Sequence, residues 1–200
     1  MLFELCTCHS SFPRGSAPCP TGLRPQHILD ALTHADKSAL LEQLTAVVRI
    51  LANGQAREQV APFFAGANLF GAKKKDGGIR PIAVGDVFGR LTGKCLSQCS
   101  RDSARAYFWP RQVSCGSPLV AGTVGHVLRQ WCERNAGVDG KVLLKLDFRN
   151  AFKCINRDIA LRETLEHFPG LSRFTGWCYG SRSNLFFGDY VIESATGVQQ

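Results

Sequence analysis

An apolar run that ends in a carboxylate constrains this chain more than any other feature of its sequence. Residues 143–146 are Leu-Leu-Lys-Leu, Asp147 follows them, and Phe152 stands five residues after the acid. The run predicts a strand that packs on at least one face and brings Asp147 to the edge of a sheet, where metal-binding carboxylates are often found. Mg²⁺ binds one or two carboxylates and completes its shell with water and phosphate. The alternative is that Asp147 only caps the segment that follows.

Three other segments surround this one in a fixed order. Residues 16–25 read Ser-Ala-Pro-Cys-Pro-Thr-Gly-Leu-Arg-Pro, residues 73–84 read Lys-Lys-Lys-Asp-Gly-Gly-Ile-Arg-Pro-Ile-Ala-Val, and residues 197–200 read Gly-Val-Gln-Gln. Together the segments resemble the reverse transcriptases, most closely those of non-LTR retrotransposons. Residues 147–152 resemble motif A of that family, residues 73–84 its fingers hairpin, and residues 197–200 the beginning of its Gly-Val-Gln-Gln-Gly-Asp-Pro motif B. Residues 16–25 resemble its Gly-Pro-(Asp/Ser)-Gly-(Leu/Ile) segment, with Cys19 where glycine is usual.

The resemblance implies RNA-directed DNA synthesis from deoxynucleoside triphosphates on an RNA or DNA template-primer, with two Mg²⁺ ions in the complete enzyme. It implies that Asp147 binds both ions, together with the backbone carbonyl of Phe148. Phe152 would lie beneath the sugar and leave no room for a 2′-hydroxyl, although the same residue also fits a core aromatic. Gln200 would contact the nucleotide or the template.

Residues 73–84 also predict a β-hairpin, because Asp76-Gly77-Gly78 separates two short apolar runs. The resemblance implies that Lys74 or Lys75, together with Arg80, neutralises the triphosphate of the incoming nucleotide. Spacing alone does not distinguish the consecutive lysines. The alternative is that the lysines only keep an edge hairpin soluble.

The charge of the chain is concentrated in one stretch. Lys and Arg number 24 against 16 Asp and Glu, a net charge of +8, and residues 71–111 hold nine basic and three acidic residues. A basic stretch of this kind is typical of contact with a polyanion, although a solvated helix face explains it as well. The predicted nucleic-acid contacts are Lys73, Arg90, Lys94 and Arg101.

The patterns predict an α+β fold, a right-hand polymerase fingers region and partial palm with helices packed on an incomplete antiparallel sheet. We expect a poorly ordered segment over residues 1–22, N-terminal helices and a fingers-like region over 23–135, and a partial palm over 136–200. No Asp-Asp pair occurs, whereas the family has an aromatic-x-Asp-Asp turn after motif B. We therefore expect an N-terminal portion that lacks the C-terminal palm and thumb and does not extend a primer by itself. Helices are predicted over 26–32, 37–52, 87–99, 120–134, 157–167 and 171–179, and strands over 67–73, 79–84, 184–187 and 190–193. Asp86 and Asn156 are predicted to cap the helices that follow them. The helix over 120–134 is expected to face inward with Val124, Val127, Leu128 and Trp131.

Nine cysteines are scattered through the chain without a CxxC pair. Cys6, Cys8 and His9, with Cys19, imitate a zinc cluster, but their spacing is poor for tetrahedral coordination, so free or structural thiols are expected. The sequence has neither a signal-peptide core nor an apolar run long enough to span a membrane. We expect an intracellular protein, cytoplasmic or nuclear, that is not secreted and has no membrane partner.

Two other functions fit parts of the sequence. A catalytically dead remnant would retain only non-specific binding of RNA or DNA through residues 71–111. A Mg²⁺-dependent phosphotransferase of small molecules could use Asp147, but the chain has no phosphate loop of the G-x-x-x-x-G-K-[ST] type. The order of the motifs favours the reverse transcriptase.

Overall fold

The computed structural model describes residues 12–13, 15–33, 36–116, 120–148 and 151–198. These residues form eight α-helices, two short 3₁₀ helices and four strands. The helices are α1 (Pro25–Ala31), α2 (Lys37–Ala52), α3 (Ala61–Phe64), α4 (Val87–Cys99), α5 (Arg101–Phe108), α6 (Val120–Arg134), α7 (Arg157–His167) and α8 (Pro169–Tyr179), and the 3₁₀ helices are Glu58–Val60 and Ala151–Cys154. The strands are β1 (Ala67–Lys73), β2 (Ile79–Gly85), β3 (Ser183–Phe187) and β4 (Tyr190–Ser194).

The described chain divides into two compact units. The first contains the residues up to 99 together with those from 151 onward, and the second contains residues 100–148. The predicted boundary between residues 135 and 136 falls inside the second unit. The functional division into a fingers-like region and a partial palm stays a prediction.

Local sequence signals account for where several elements begin. Asp86 precedes α4, and its Oδ1 accepts hydrogen bonds from the backbone N–H groups of Phe88 at 2.8 Å and Gly89 at 3.3 Å. Asn156 precedes α7 in the same way, and its Oδ1 accepts from the backbone of Ile159 at 3.1 Å. A capping side chain satisfies helix N–H groups that have no partner in the first turn. Both caps were predicted from the sequence and are confirmed.

The four strands form one mixed sheet in the order β2-β1-β3-β4. β1 and β2 pair antiparallel, as do β3 and β4, and each pair is a hairpin of the predicted residues. β1 and β3 pair parallel, through Ala67 opposite Leu185 and Asn68 opposite Phe186. The prediction of an α+β fold is confirmed, but the prediction of an antiparallel sheet is wrong for this central pair. A parallel pair needs a long crossover, and the many residues between β1 and β3 provide one.

The core lies in the first unit. One cluster of buried residues packs α2 against α4, and a second packs the end of α2 and α3 against α8. Phe12 and Cys19 are buried in the first cluster. The predicted poorly ordered segment over residues 1–22 lies partly outside the described residues and stays a prediction. None of the helices among the described residues is both long enough and apolar enough to cross a membrane.

The strand predicted before Asp147 is not formed. Residues 141–148 have no regular secondary structure, and their apolar side chains are exposed, Val142 to 85% and Phe148 to 75%. An extended segment becomes a strand only when a neighbour pairs with its backbone groups, and the sheet of the described residues contains no strand from this segment. Helix α6 likewise contains no buried residue, so the inward packing expected for Val127 and Leu128 is also wrong.

Candidate functional site

The basic tip of the first hairpin is fully exposed. Lys74 donates its backbone N–H to the carbonyl of Gly78 at 2.7 Å, and Gly78 donates to Oδ1 of Asp76 at 3.0 Å. Gly77 has φ +82°, a conformation that glycine adopts without strain. A shallow depression at this tip is lined by backbone and side-chain atoms of Ala72, Lys73, Lys74, Lys75, Asp76 and Arg80. The turn therefore presents four cationic side chains around one surface. The single carboxylate of the turn, that of Asp76, accepts a hydrogen bond from the backbone of Gly78.

The two faces of the hairpin have different surroundings. Successive residues of a strand alternate between faces, and residues directly opposite one another share a face. Ala72 pairs with Arg80, and Phe70 pairs with Ile82, so these four residues lie on one face. The other face, with Pro81, lines a depression of about 270 Å³. Arg80 consequently lies beside the exposed apolar side chains of Phe70 and Ile82 rather than in that depression.

Phe152, the last residue of the segment that resembles motif A, meets the segment that resembles motif B in the first unit. Val198 donates its backbone N–H to the carbonyl of Phe152 at 2.9 Å, and Gly197 donates to the carbonyl of Ile155 at 2.9 Å. Gly197 has φ +75°, and a Cβ at this position would lie 2.6 Å from the carbonyl oxygen of Lys153. Only glycine permits this approach of the two backbones.

The same junction is tied to the hairpin. The Nζ of Lys153 donates a hydrogen bond to the carbonyl of Pro81 at 3.0 Å. Pro81 follows Arg80, and Lys153 follows Phe152, whose side chain is 48% exposed. Residues 81 and 153, and residues 152 and 198, are thus joined by direct hydrogen bonds although they are far apart in the sequence.

The buried side chain of Arg157 donates hydrogen bonds to residues of this junction. The sequence analysis did not select Arg157 as a functional residue. The residue is 7% exposed, and all five N–H bonds that a guanidinium can donate have acceptors. Its Nε donates to the carbonyl of Gly197 at 2.8 Å. Its two terminal nitrogens donate to the carbonyls of Ser181 and Ser194 and to the hydroxyls of Ser183 and Ser194, at 2.9 to 3.2 Å.

The guanidinium of Arg157 also lies over the ring of Tyr179, 5.3 Å from the ring centroid. Burial lowers the pKa of Arg157 from its usual value, and Tyr179 acts in the opposite direction. The group remains a cation, because an arginine pKa starts far above neutral pH. One feature of the sequence could have indicated the special role of Arg157. This basic residue directly follows the cap Asn156, at a position where the helix dipole favours acidic residues.

The predicted acid, Asp147, lies in the second unit on the exposed segment 141–148, and so does Phe148. In the part of the chain that the structure describes, no group of three or more His, Cys, Asp or Glu residues is placed to hold a metal ion. The two-Mg²⁺ centre that the resemblance implies for the complete enzyme stays a prediction, with Asp147 as its predicted carboxylate.

The four predicted nucleic-acid contacts lie in different surroundings. Lys73 is exposed at the end of β1, and Arg101 is exposed at the beginning of α5. Arg90 and Lys94 lie instead over the ring of Phe12, with the cationic groups 5.0 and 4.9 Å from the ring centroid. Burial lowers the pKa of Arg90, against the opposing effects of Cys19 and Asp86. Arg90 and Lys94 thus contribute to packing, which the sequence reasoning did not anticipate.

Two of the sequence predictions fall outside the described residues. Gln200, the predicted contact of motif B, is one of them, and the Cys6, Cys8 and His9 group is the other. None of the seven cysteines within the described residues forms a disulfide bond.

No model of a protein family matches this chain, and a search of curated proteins finds none that is similar to it.

Proposed function

We propose that this chain is the nucleotide-binding portion of an RNA-directed DNA polymerase of the non-LTR retrotransposon type. One observation supports the proposal above the others. The hydrogen bonds from Lys153 to Pro81 and from Val198 to Phe152 bring the end of the segment that resembles motif A, and the residue that follows it, to the segments that resemble the fingers hairpin and motif B. A chance match of short motifs gives no reason for segments about 40 to more than 100 residues apart in sequence to meet in space.

The chemistry of the hairpin suits a triphosphate. Lys74, Lys75 and Arg80 are exposed around one turn, and charge-assisted hydrogen bonds from such groups to phosphate oxygens are about twice as strong as neutral ones. The planar guanidinium of Arg80 can bind two phosphate oxygens at once, whereas each lysine acts as a point charge. The apolar side chains of Phe70 and Ile82 beside Arg80 offer a surface for the base or the sugar.

Phe152 would select the sugar in this proposal. Phe152 is the last residue of the segment that resembles motif A, and its carbonyl accepts a hydrogen bond from the backbone of Val198. A rigid ring held by its backbone can exclude a 2′-hydroxyl, because a tightly packed site rejects an added polar atom that it cannot satisfy. The catalytic step is not assigned to the described residues, because no group of three or more His, Cys, Asp or Glu residues among them is placed to hold a metal ion.

The second candidate is a catalytically dead remnant that binds nucleic acid without sequence preference. The exposed, irregular segment around Asp147 favours it, and so does the charge of residues 71–111. The two candidates differ in what they bind. The affinity of a remnant for polyanions should rise with their charge. A nucleotide site should instead bind one deoxynucleoside triphosphate per chain and become saturated.

Equilibrium binding of dATP to the full 200-residue chain separates them. Titration calorimetry in the presence of a chelator measures the site without any metal. We expect saturable binding with one site per chain. Replacement of Lys74 or Arg80 by glutamine should weaken it by about tenfold, since each change removes one charge-assisted contact to phosphate.

Arg162→Gln is the matched control, because it removes the same charge from the exposed surface of α7, where Arg162 pairs with Glu163 at 3.7 Å. Its affinity for dATP should stay within about twofold of the unchanged chain. An equal loss in all three variants would indicate a diffuse charge effect and support the remnant. Binding that does not saturate would contradict the nucleotide site.

A further inference from the structure

The depression of about 270 Å³ beside the first hairpin lies on the face of the sheet away from Arg80. Leu69, Ala83 and Leu185 form its apolar wall. Leu69 lies opposite Ala83, and Leu185 lies opposite Ala67, two residues before Leu69. Strand residues that lie opposite one another or two positions apart share a face, so the three side chains are neighbours. This hollow is called the sheet depression below.

Two cationic side chains, those of Lys153 and Arg157, also line the sheet depression, and none of the described residues that line it is acidic. The Nζ of Lys153 donates a hydrogen bond to the carbonyl of Pro81 at 3.0 Å, and an ammonium group has two further donors. Neither Lys153 nor Arg157 forms an ion pair with a carboxylate that the structure describes. The depression therefore combines an apolar wall with a net positive charge.

The positive charge of Arg157 is almost completely removed from water, since this residue is 7% exposed. Its hydrogen-bond acceptors are neutral carbonyl and hydroxyl oxygens. Arginine is rarely buried to this degree without an acidic partner, because removal of a charge from water is costly. The ring of Tyr179 offsets part of this cost. An anion in the sheet depression would offset more of it and would accept hydrogen bonds from Lys153.

The volume and the wall of the sheet depression limit the kind of anion that it can hold. A cavity of about 150 Å³ accommodates a benzene molecule, so 270 Å³ accommodates a ring of that size with a short polar arm. The apolar wall suits the ring, and the ammonium of Lys153 suits a carboxylate at the end of the arm. A phosphate group carries more charge and would lose more hydration beside the same apolar side chains.

We propose that the sheet depression binds a small monocarboxylate with an apolar body. The apolar body packs on Leu69, Ala83 and Leu185, and the carboxylate accepts hydrogen bonds from Lys153 in the positive field of Arg157. This inference does not depend on the proposed nucleotide site, because Lys74, Lys75 and Arg80 do not line the sheet depression.

Titration calorimetry of phenylacetate with the full chain tests the proposal. We expect saturable binding with one site per chain. Phenylacetamide has the same shape without the charge, and acetate has the charge without the ring. Each should bind at least about tenfold more weakly than phenylacetate, because each lacks one of the two contacts that the depression offers.

Replacement of Lys153 separates the charge from the fold. Lys153→Met should weaken phenylacetate binding by about tenfold but leave phenylacetamide within about twofold, a difference that a purely structural change would not produce. Lys153→Arg keeps a cationic donor and should stay within about threefold for phenylacetate. Lys141→Met is the matched control, because it removes the same charge from an exposed lysine of the second unit. Its affinity for phenylacetate should change by less than about twofold.

Two measurements locate the ligand in the sheet depression. Ala83→Leu adds volume to the apolar wall and should weaken phenylacetate and phenylacetamide alike by at least about tenfold, whereas Ala195→Leu, at an exposed alanine outside the wall, should weaken neither. In the unchanged chain, nuclear Overhauser effects should connect the ring of phenylacetate to the methyl groups of Leu69 and Leu185 and not to those of Ile82 on the other face. The second measurement keeps the test valid if circular dichroism shows that Ala83→Leu does not fold.

Four results would overturn the proposal. These are phenylacetate binding that does not saturate, equal affinities for phenylacetate and phenylacetamide, unchanged phenylacetate affinity of Lys153→Met, and displacement of phenylacetate by dATP. Displacement would place the carboxylate among the cations of the hairpin tip. A chain that binds phenylacetate at Leu69 and Leu185 but does not bind dATP would contradict the nucleotide site and support the sheet depression.

Discussion

The first compact unit contains the buried core, whereas no residue that the structure describes in the second unit is buried. In the first unit Leu91, Val48 and Val87 are fully buried. In the second unit neither α5 nor α6 contains a buried residue, and residues 141–148 form no regular structure. Both units have apolar residues at the spacing of helices and strands. A periodic pattern therefore becomes a core only when a second element covers it.

The same difference separates the predicted functional residues. The basic hairpin, Phe152 and Gly197 belong to the first unit, where hydrogen bonds fix the segments that carry them. Asp147 belongs to the exposed segment of the second unit. Nucleotide binding can therefore be tested on this chain independently of catalysis.

Removal of the guanidinium of Arg157 should have the largest effect on the first unit. Arg157→Met keeps most of the volume but leaves the carbonyls of Ser181, Ser194 and Gly197 without their donors. Buried polar groups that lose a charged partner cost roughly 3 kcal/mol of unfolding free energy in total. Urea unfolding followed by circular dichroism measures the loss.

Two further variants complete this comparison. Arg157→Lys should recover only part of the stability, because an ammonium has three donors and no planar fork. Arg162→Met, on the exposed surface of the same helix, should change stability by less than about 0.5 kcal/mol. Equal stability of Arg157→Met and Arg162→Met would show that Arg157 does not hold the junction.

Gly197→Ala should have the next largest effect. The new Cβ would meet the backbone of Lys153 at 2.6 to 2.7 Å, in addition to the cost of a positive φ. Gly188→Ala separates these two causes, since Gly188 has φ +57° but nothing within 4 Å of its Cβ position. We expect Gly188→Ala to cost about 1 kcal/mol and Gly197→Ala at least about 1 kcal/mol more. If the two variants are equally stable in urea, the backbones of residues 153 and 197 are not in contact.

The smallest predicted effect is a difference in thiol reactivity between one cysteine of each unit. Burial raises the pKa of Cys178 in the first unit to about 12, whereas Cys132 on α6 is exposed. The thiolate is the reactive form, so Cys178 stays protonated and unreactive as the pH rises from 7 to 9, while an exposed thiol becomes more reactive. Alkylation followed by peptide mass spectrometry should find Cys132 modified at least about tenfold faster at pH 8. Similar rates would mean that the two units are equally open to solvent.

Much of the local structure could be predicted because the responsible residues are neighbours in the sequence. Asp86 and Asn156 cap their helices, and Asp76-Gly77-Gly78 closes the first hairpin, as their types and positions indicate. The parallel pairing of β1 with β3 could not be predicted, because no local pattern records which distant strand becomes a neighbour.

Only part of the candidate site could be predicted from the sequence. The basic hairpin and Phe152 could be selected from their motifs, but the strand before Asp147 was predicted from a pattern that specifies no pairing partner. The role of Arg157 could not be predicted, because its hydrogen-bond acceptors come from residues 181–197, which only the folded chain brings together. Arg90 and Lys94 were taken for exposed cations because nothing in the sequence places Phe12 against them.

The relative affinity of the chain for dATP and ATP tests the central proposal most directly. If Phe152 lies beneath the sugar, the unchanged chain should bind dATP at least about tenfold more tightly than ATP, because the 2′-hydroxyl meets the ring. Phe152→Val should bring the two dissociation constants within about threefold of each other, chiefly through tighter binding of ATP. Phe63→Val, at another exposed phenylalanine of the first unit, should leave the ratio unchanged. A chain that does not discriminate, or a ratio that Phe152→Val leaves as it was, would contradict the assignment of this site to a DNA polymerase.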